Sequence, residues 1–458
     1  MADQEPFLEA SVPAAPSVVG RSGAVSYGTL AKFFIPLALQ AMSQSLTYPI
    51  LAMVAARGAG RTMELAAYAQ SSNLLFMLYT LSSGIITTGL VYAKTRGGYR
   101  TFLKANYIVL AIITVCHSVV CLPVISRAIF RTLFGLPAEI GEPAVRAFRY
   151  MLPLSVLFIL RNPYQVMLFN VNRSDKAFLA TAARIVTAAV LALAFSHLKM
   201  GGVFYAAVVQ FSAIVVEVLL SRQLALKYLR SLQLSEGVGE RTSLGEMLRF
   251  SFIFSLGGFF ITLSTALIGA FIARAPDPAV TLPVYYVTRG LANPLAFGAV
   301  RITAVVINFH GDRQRNRSVF GFACVAGLVL SVVPLFFLTP WLFHGYYVVL
   351  QKFTAESYRH IRQITLIMAL LPLINAVCSY VYGKAAYLKK PIAVLAGQSI
   401  FLGAAVSTAF ILLDLGVPGH ILGACATIFA TIVSGLVIQA SLGWDTRRSV
   451  PVPTEKTA

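Results

Sequence analysis

Four arginines and one glutamate fall inside long apolar stretches of this chain: Arg161, Arg184, Arg289, Arg301 and Glu217. A charge at the centre of a bilayer costs about 3 kcal/mol or more, so such residues face a cavity or a partner. Arg184 and Glu217 lie about 8 and 7 residues from the same-side ends of antiparallel neighbours. At about 1.5 Å rise per residue they reach similar depths, and they are expected to form a structural ion pair. Glu217 is the only acid deep in an apolar stretch, and one carboxylate cannot neutralise four guanidinium groups. Arg161, Arg289 and Arg301 are therefore candidate ligands for an anion. Their flanks agree, since Arg161-Asn162-Pro163 and Arg289 ahead of Asn293-Pro294 each set an arginine beside an Asn-Pro break. A proline frees a carbonyl and loosens a helix, while Asn and Arg offer donors to an oxyanion. The competing reading is that each arginine reaches an interface or caps a freed carbonyl.

Amides and hydroxyls form a second set. Gln40, Ser43, Gln44 and Thr47 share one helical face, as do Gln70, Asn73, Thr80, Gly84 and Thr87 further on. Small and hydroxylated residues also mediate helix packing in membranes, so the Ser and Thr positions fit either role. Gln40, Gln44 and Asn73, together with Asn293, are expected to line a cavity, because an amide against lipid leaves several hydrogen-bonding groups unmet. Pro36, Pro49, Pro163 and Pro294 are the expected kink or gating positions, a static kink being as consistent with each as a hinge.

Catalytic chemistry finds little support. The chain has no His-Glu-x-x-His, no Gly-x-Ser-x-Gly, no phosphate-binding loop and no intramembrane aspartate pair. Its five cysteines, Cys116, Cys121, Cys324, Cys378 and Cys425, are odd in number and none has metal-ligand spacing. No enzyme activity, catalytic residue, metal or cofactor is expected.

The elements that must position these residues follow from composition. Hydrophobic residues make up 57% of the 458 and charged residues 12%, with a mean hydropathy of +0.76. Twelve apolar stretches have the length of a membrane span, at about 30–55, 65–92, 103–125, 146–171, 177–198, 202–224, 246–273, 281–308, 318–340, 358–383, 391–414 and 418–442. Backbone groups in hydrocarbon must be satisfied within the segment, so the fold class is an all-α polytopic membrane protein. The expected organisation is a disordered tail over 1–29, a six-helix lobe over 30–228, a linker over 229–245, a second six-helix lobe over 246–442 and a tail over 443–458.

Of the 37 Lys and Arg, 22 fall on the side that holds both termini and 11 on the other. This bias predicts a multi-pass protein of a cell inner or plasma membrane with both termini cytoplasmic. It also assigns much of the net charge of +20 to topology and anionic lipid rather than to nucleic acid.

The halves are related. An offset of 217 places Leu30-Ala31-Lys32-Phe33 on Met247-Leu248-Arg249-Phe250, Tyr68 on Tyr285, Arg100 on Arg317 and Gly202 on Gly419. Between them a shift of 213 pairs Arg149 with Arg362, Asn162 with Asn375 and Lys176 with Lys389. Six spans per half give the two lobes one orientation, a parallel repeat.

Two six-span lobes, a basic loop after the second span, Gly89-Leu90-Val91-Tyr92 running into Lys94, Met247-Leu248-Arg249-Phe250 and Arg301 resemble the multidrug/oligosaccharidyl-lipid/polysaccharide (MOP) exporter superfamily. Within it they resemble the progressive ankylosis protein family. The resemblance implies a V-shaped pair of bundles and a central cavity lined mainly by spans one, two, seven and eight. It further implies export of a drug, a lipid-linked saccharide or a small anion such as pyrophosphate or citrate. Many such exporters that use protons or sodium hold an acid in the first span, and this chain has none there. The expected function is a secondary-active or potential-driven exporter working by alternating access. Its cargo is expected to be anionic, a small polycarboxylate or phosphate compound or a lipid-linked phosphosaccharide. The alternatives are a multidrug exporter of the same superfamily and a non-transporting membrane scaffold for a synthase complex. The expected partners are that cargo and membrane lipids, and the protein is expected to be a monomer.

Overall fold

A computed structural model describes residues 23–59, 62–134, 136, 138–234, 243–350 and 357–448. The described residues are helices joined by short turns, with no strand among them. Twelve long helices run in chain order: α1 Tyr27–Ala55, α2 Met63–Tyr92, α3 Arg96–Val120, α4 Leu152–Asn170, α5 Ser174–His197, α6 Val203–Leu234, α7 Leu244–Ile272, α8 Val284–Phe309, α9 Arg313–Phe336, α10 Tyr358–Tyr387, α11 Pro391–Asp414 and α12 Gly419–Arg448. Eleven of these, all but α1, are apolar and long enough over the described residues to cross a membrane. Some ends differ from expectation. Helix α1 begins at Tyr27, within the expected tail, because Ser26 caps it. Helices α6 and α12 run on to Leu234 and Arg448, past the expected lobe ends, because polar residues continue a helix beyond the apolar stretch. Residues 1–22, 235–242 and 449–458 of the expected tails and linker lie outside the described residues.

The duplication is written into the backbone. Ser26 accepts a hydrogen bond from the Thr29 amide to start α1, and Ser243 accepts one from Glu246 to start α7, 217 residues on. Thr95 likewise caps α3 through Gly98, and Asp312 caps α9 through Arg315. Each side-chain oxygen satisfies an amide that the first helical turn leaves without a partner. Left-handed residues repeat at the same offset, with φ 57° at Asn172 and 55° at Lys389, and φ 54° at Lys199 and 69° at Gly416. The Asn172 and Lys389 turns therefore correspond, which overturns the shift of 213 that pairs Lys176 with Lys389. Apolar sequence uses few residue types, and a chance identity drew the register away from the turn geometry.

The cores show how the lobes sit. One shared core gathers Leu30, Phe33, Tyr92, Phe102 and Phe169 from the first lobe with Phe250, Val305, Phe309, Phe322 and Ala385 from the second. All of these lie toward the helix ends on the side where α1 begins and α12 ends. At the opposite end each lobe has its own core, around Tyr68, Phe148 and Val209 in one and around Tyr285, Ile364 and Leu422 in the other. The lobes thus join at the terminal side and part at the other. Edge-to-face rings fasten the joined side, with Phe33 on Phe309 at 5.4 Å, Phe34 on Phe322 at 5.6 Å and Tyr92 on Phe250 at 5.3 Å.

The helix breaks fall at repeat-related places. Helix α2 breaks over residues 81–83 and resumes at Gly84, and α8 breaks at Arg301, the residue 217 positions after Gly84. The segments beyond, Gly84–Tyr92 and Ile302–Phe309, enter the shared core. These breaks carry no proline. Helix α1 runs unbroken through Pro36 and Pro49, α4 through Pro163, and α8 passes Pro294 before its break. The expected proline positions therefore do not interrupt their helices, and the side chain of Pro49 lies outside the described residues.

Candidate functional site

The buried arginines of the first lobe converge on Glu217, which is 0% exposed on α6. Arg184 of α5 donates from Nη1 to Glu217 Oε2 at 3.3 Å, as expected. Arg161 of α4 donates to the same oxygen at 2.9 Å, which sequence spacing did not anticipate. The other oxygen, Oε1, accepts from Thr181 at 2.7 Å and from Gln165 at 3.3 Å. Gln40 donates to the Thr181 hydroxyl at 3.0 Å. Five side chains from α1, α4 and α5 thus surround one carboxylate. Such a pair is sustained out of water only when its remaining hydrogen-bonding capacity is used, and here both carboxylate oxygens are.

Two expectations change. Arg161 is not a free anion ligand, because its guanidinium is engaged with Glu217 and lies over the Phe158 ring at 5.4 Å. Gln40 does not line an open cavity. It is 2% exposed and belongs to the Glu217 network. Depth along each helix was legible, but the rotation that turned α4 toward α6 was not.

Pro163 has a local answer as well. It has no amide hydrogen to offer the carbonyl of Ile159, one turn back. That carbonyl instead accepts from Asn106 Nδ2 on α3 at 3.2 Å. The freed group is closed inside the lobe, and Asn162 beside it is 5% exposed.

In the second lobe Arg289 and Arg301 have no acidic partner among the described residues. Arg289 donates to the Tyr285 hydroxyl and to Thr265 Oγ1, each at 3.0 Å, and lies over the Tyr285 ring at 5.7 Å. Both residues are neutral, and among the described residues no ion pair offsets its charge. Arg301 stands at the break of α8, half-buried. Among the described residues no ion pair reaches its guanidinium, yet it lies close enough to Arg161 of the other lobe for the two charges to repel. Arg301 and Arg161 thus feel one another's charge across the seam without any contact between them among the described residues. Arg289, about 18 Å further along α8 by helical rise, stands apart. Asn73 is exposed and Asn293 half-buried. The side chain of Gln44 lies outside the described residues.

The joined side has its own polar closure. Lys94 donates to the carbonyl of Ile307 at 3.2 Å across the seam and lies 6.0 Å from the Tyr387 ring. Lys389 crosses the other way onto Tyr92 at 5.1 Å, and Tyr92 donates to Glu246 at 3.0 Å. At Gly84 the lobes meet closely, its amide donating to Ser255 Oγ at 3.0 Å.

His117 is bonded on both nitrogens, to Ser155 and to the carbonyl of Phe148, and serves as packing within the first lobe.

No protein-family model matches the sequence, and no curated protein sequence does. Solved structures do match along nearly the whole chain. An outward-facing multidrug resistance MATE family transporter of the MOP superfamily superimposes with a TM-score of 0.74 at 17% identity, covering 92% of this chain and 97% of that one. A MOP superfamily transporter from Pyrococcus furiosus Vc1, described by the reverse polarity of its binding pocket, gives 0.72 at 15% identity over 95% and 98%. The eukaryotic MATE transporter AtDTX14 gives 0.72 at 14% identity over 91% and 95%. The chain has the twelve-helix, two-lobe fold of these MATE and MOP transporters.

Proposed function

We propose that this protein is a membrane exporter that works by alternating access, with both termini cytoplasmic and an anionic cargo. The observation that carries the reading is Arg301 itself, a half-buried cation at the break of α8 that no ion pair reaches among the described residues. Two lobes that join at one end and part at the other can exchange which end is closed, and a ligand held between them couples to that exchange. With the basic side cytoplasmic, the present arrangement is closed inward and open outward. Between the lobes an anion meets the positive charge of Arg301, which no ion pair offsets among the described residues. An inside-negative potential favours anion exit by about 2.3 kcal/mol per charge per 100 mV, so export needs no coupling ion. Arg301 is the foremost cargo ligand, with Arg161 shared between Glu217 and the cargo and Arg289 placed along the exit path.

The test is efflux from proteoliposomes loaded with pyrophosphate, citrate or a nucleotide, with the imposed potential switched in sign. Arg301→Gln keeps the shape and leaves no carboxylate orphaned. It is expected to slow efflux about 10- to 100-fold, the loss of one charge-assisted hydrogen bond. Unchanged efflux in that variant refutes the assignment of Arg301. The similarity to a multidrug resistance transporter favours a second reading, a cationic drug cargo. Efflux of an organic cation with none of the three anions moving would establish it.

A further inference from the structure

The ion cluster of the first lobe does not balance. Arg161 and Arg184 are 6% and 4% exposed and share a single carboxylate, Glu217, at 0%. No other acid pairs with either arginine among the described residues. One positive charge is thus left over in the lobe interior. The donors show where it is felt. Arg184 uses only Nη1 on Glu217, while its Nε and Nη2 are out of solvent contact with no partner, as is the Nε of Arg161. Nε and Nη2 project side by side from one edge of the guanidinium, the two-pronged edge with which arginine grips a single anion. Glu217 cannot serve this edge, since its two oxygens already accept four hydrogen bonds.

We propose that the first lobe holds a small monovalent inorganic anion, chloride in size and charge, on the Nε–Nη2 edge of Arg184, as the counter-ion that the Arg161–Glu217–Arg184 cluster requires. This site is separate from the cargo reading and would stand if the cargo were cationic. A water molecule can satisfy the donors but leaves the charge. A buried anion does both, and in a medium that screens weakly the charge decides. The expected result is a lobe whose stability depends on halide rather than on ionic strength alone.

The experiment uses the full-length protein in detergent. Thermal unfolding is followed while chloride or bromide replaces gluconate at constant ionic strength. Wild type should gain stability with halide along a saturating curve. Arg184→Met leaves Arg161 and Glu217 as a neutral pair, and its halide response should vanish. Glu217→Gln leaves two charges, and its apparent halide affinity should rise at least tenfold. Arg301→Gln should respond as wild type does. A response lost with Arg301 instead would mean the halide occupies the cargo space, and would overturn the proposal. Equal responses in wild type and Arg184→Met would overturn it too, as a general salt effect. If Arg184→Met does not fold, wild-type crystals grown in bromide decide. An anomalous peak within hydrogen-bond reach of Arg184 Nη2 supports the site, and none there refutes it.

Discussion

Replacing Gly84 by alanine should prise the lobes apart at the joined side. A Cβ built on Gly84 falls 2.2 Å from the carbonyl oxygen of Ser251 on α7, and 2.9 Å from both Phe254 Cβ and Ser255 Oγ. Ordinary contact is roughly 1 Å longer, so the α7 backbone must retreat by about that much. Overpacking of this kind costs about 1–3 kcal/mol. The Gly84 amide bond to Ser255 stretches with it, at about 1 kcal/mol for a hydrogen bond. Alanine's better helix propensity acts in the joined and parted states alike and cancels. The joined state should therefore lose about 2–4 kcal/mol, roughly 30- to 1,000-fold in the equilibrium between the two conformations. A transporter's conformations differ by only a few kcal/mol, so the population should move visibly.

Spin labels at Lys104→Cys and Gln314→Cys, both exposed near the joined side, report the lobe separation by pulsed electron resonance in a background without the five native cysteines. Wild type should give one short distance, and Gly84→Ala a longer or two-component distribution. Gly290→Ala makes the same chemical change in α8, where a Cβ meets nothing within 4 Å, and should reproduce wild type. A folded Gly84→Ala protein with the wild-type distribution would refute the reasoning, since the seam would then absorb the methyl locally.

Further outcomes follow from the same geometry. Glu217→Gln should destabilise the protein by about 3–5 kcal/mol by stranding two buried cations. Adding Arg184→Met should recover part of that loss in thermal unfolding, and strictly additive losses would show that the two residues are not coupled. Asn106→Ala should cost about 1–3 kcal/mol by orphaning the Ile159 carbonyl. The cost should shrink in a Pro163→Ala background, where a helical amide can return to that carbonyl, and a double-mutant cycle without coupling would contradict this. Loss of water around the Lys94 ammonium, tucked against the second lobe, lowers its pKa from 10.5 to about 8. If the parted state restores the ordinary value, it binds more protons between pH 8 and 10.5, so raising pH through that window should favour the joined state. The label distance should follow, and Lys94→Met should lose the dependence.

The sequence by itself determined what depends on neighbours along the chain. Hydrocarbon allows a single chain segment few ways to satisfy its backbone, so the length and placement of the apolar stretches were enough for the helices. The caps Ser26 and Ser243, and Thr95 and Asp312, were also there to be read at the offset of 217, and would have held the register where chance identities drew it to 213. The costliness of a buried charge singled out Arg161, Arg184, Arg289, Arg301 and Glu217, and depth matched Arg184 to Glu217. Rotation about each helix axis is another matter, because it is set by packing against neighbours distant in sequence. Only the tertiary structure turned Arg161 to Glu217, closed the carbonyl freed by Pro163 with Asn106, and withdrew Gln40 into the lobe. The break at Arg301, like its counterpart before Gly84, has no residue that compels it. It lies where two lobes packed on one another at one end must diverge toward separate cores at the other, and that demand exists only once both lobes are folded.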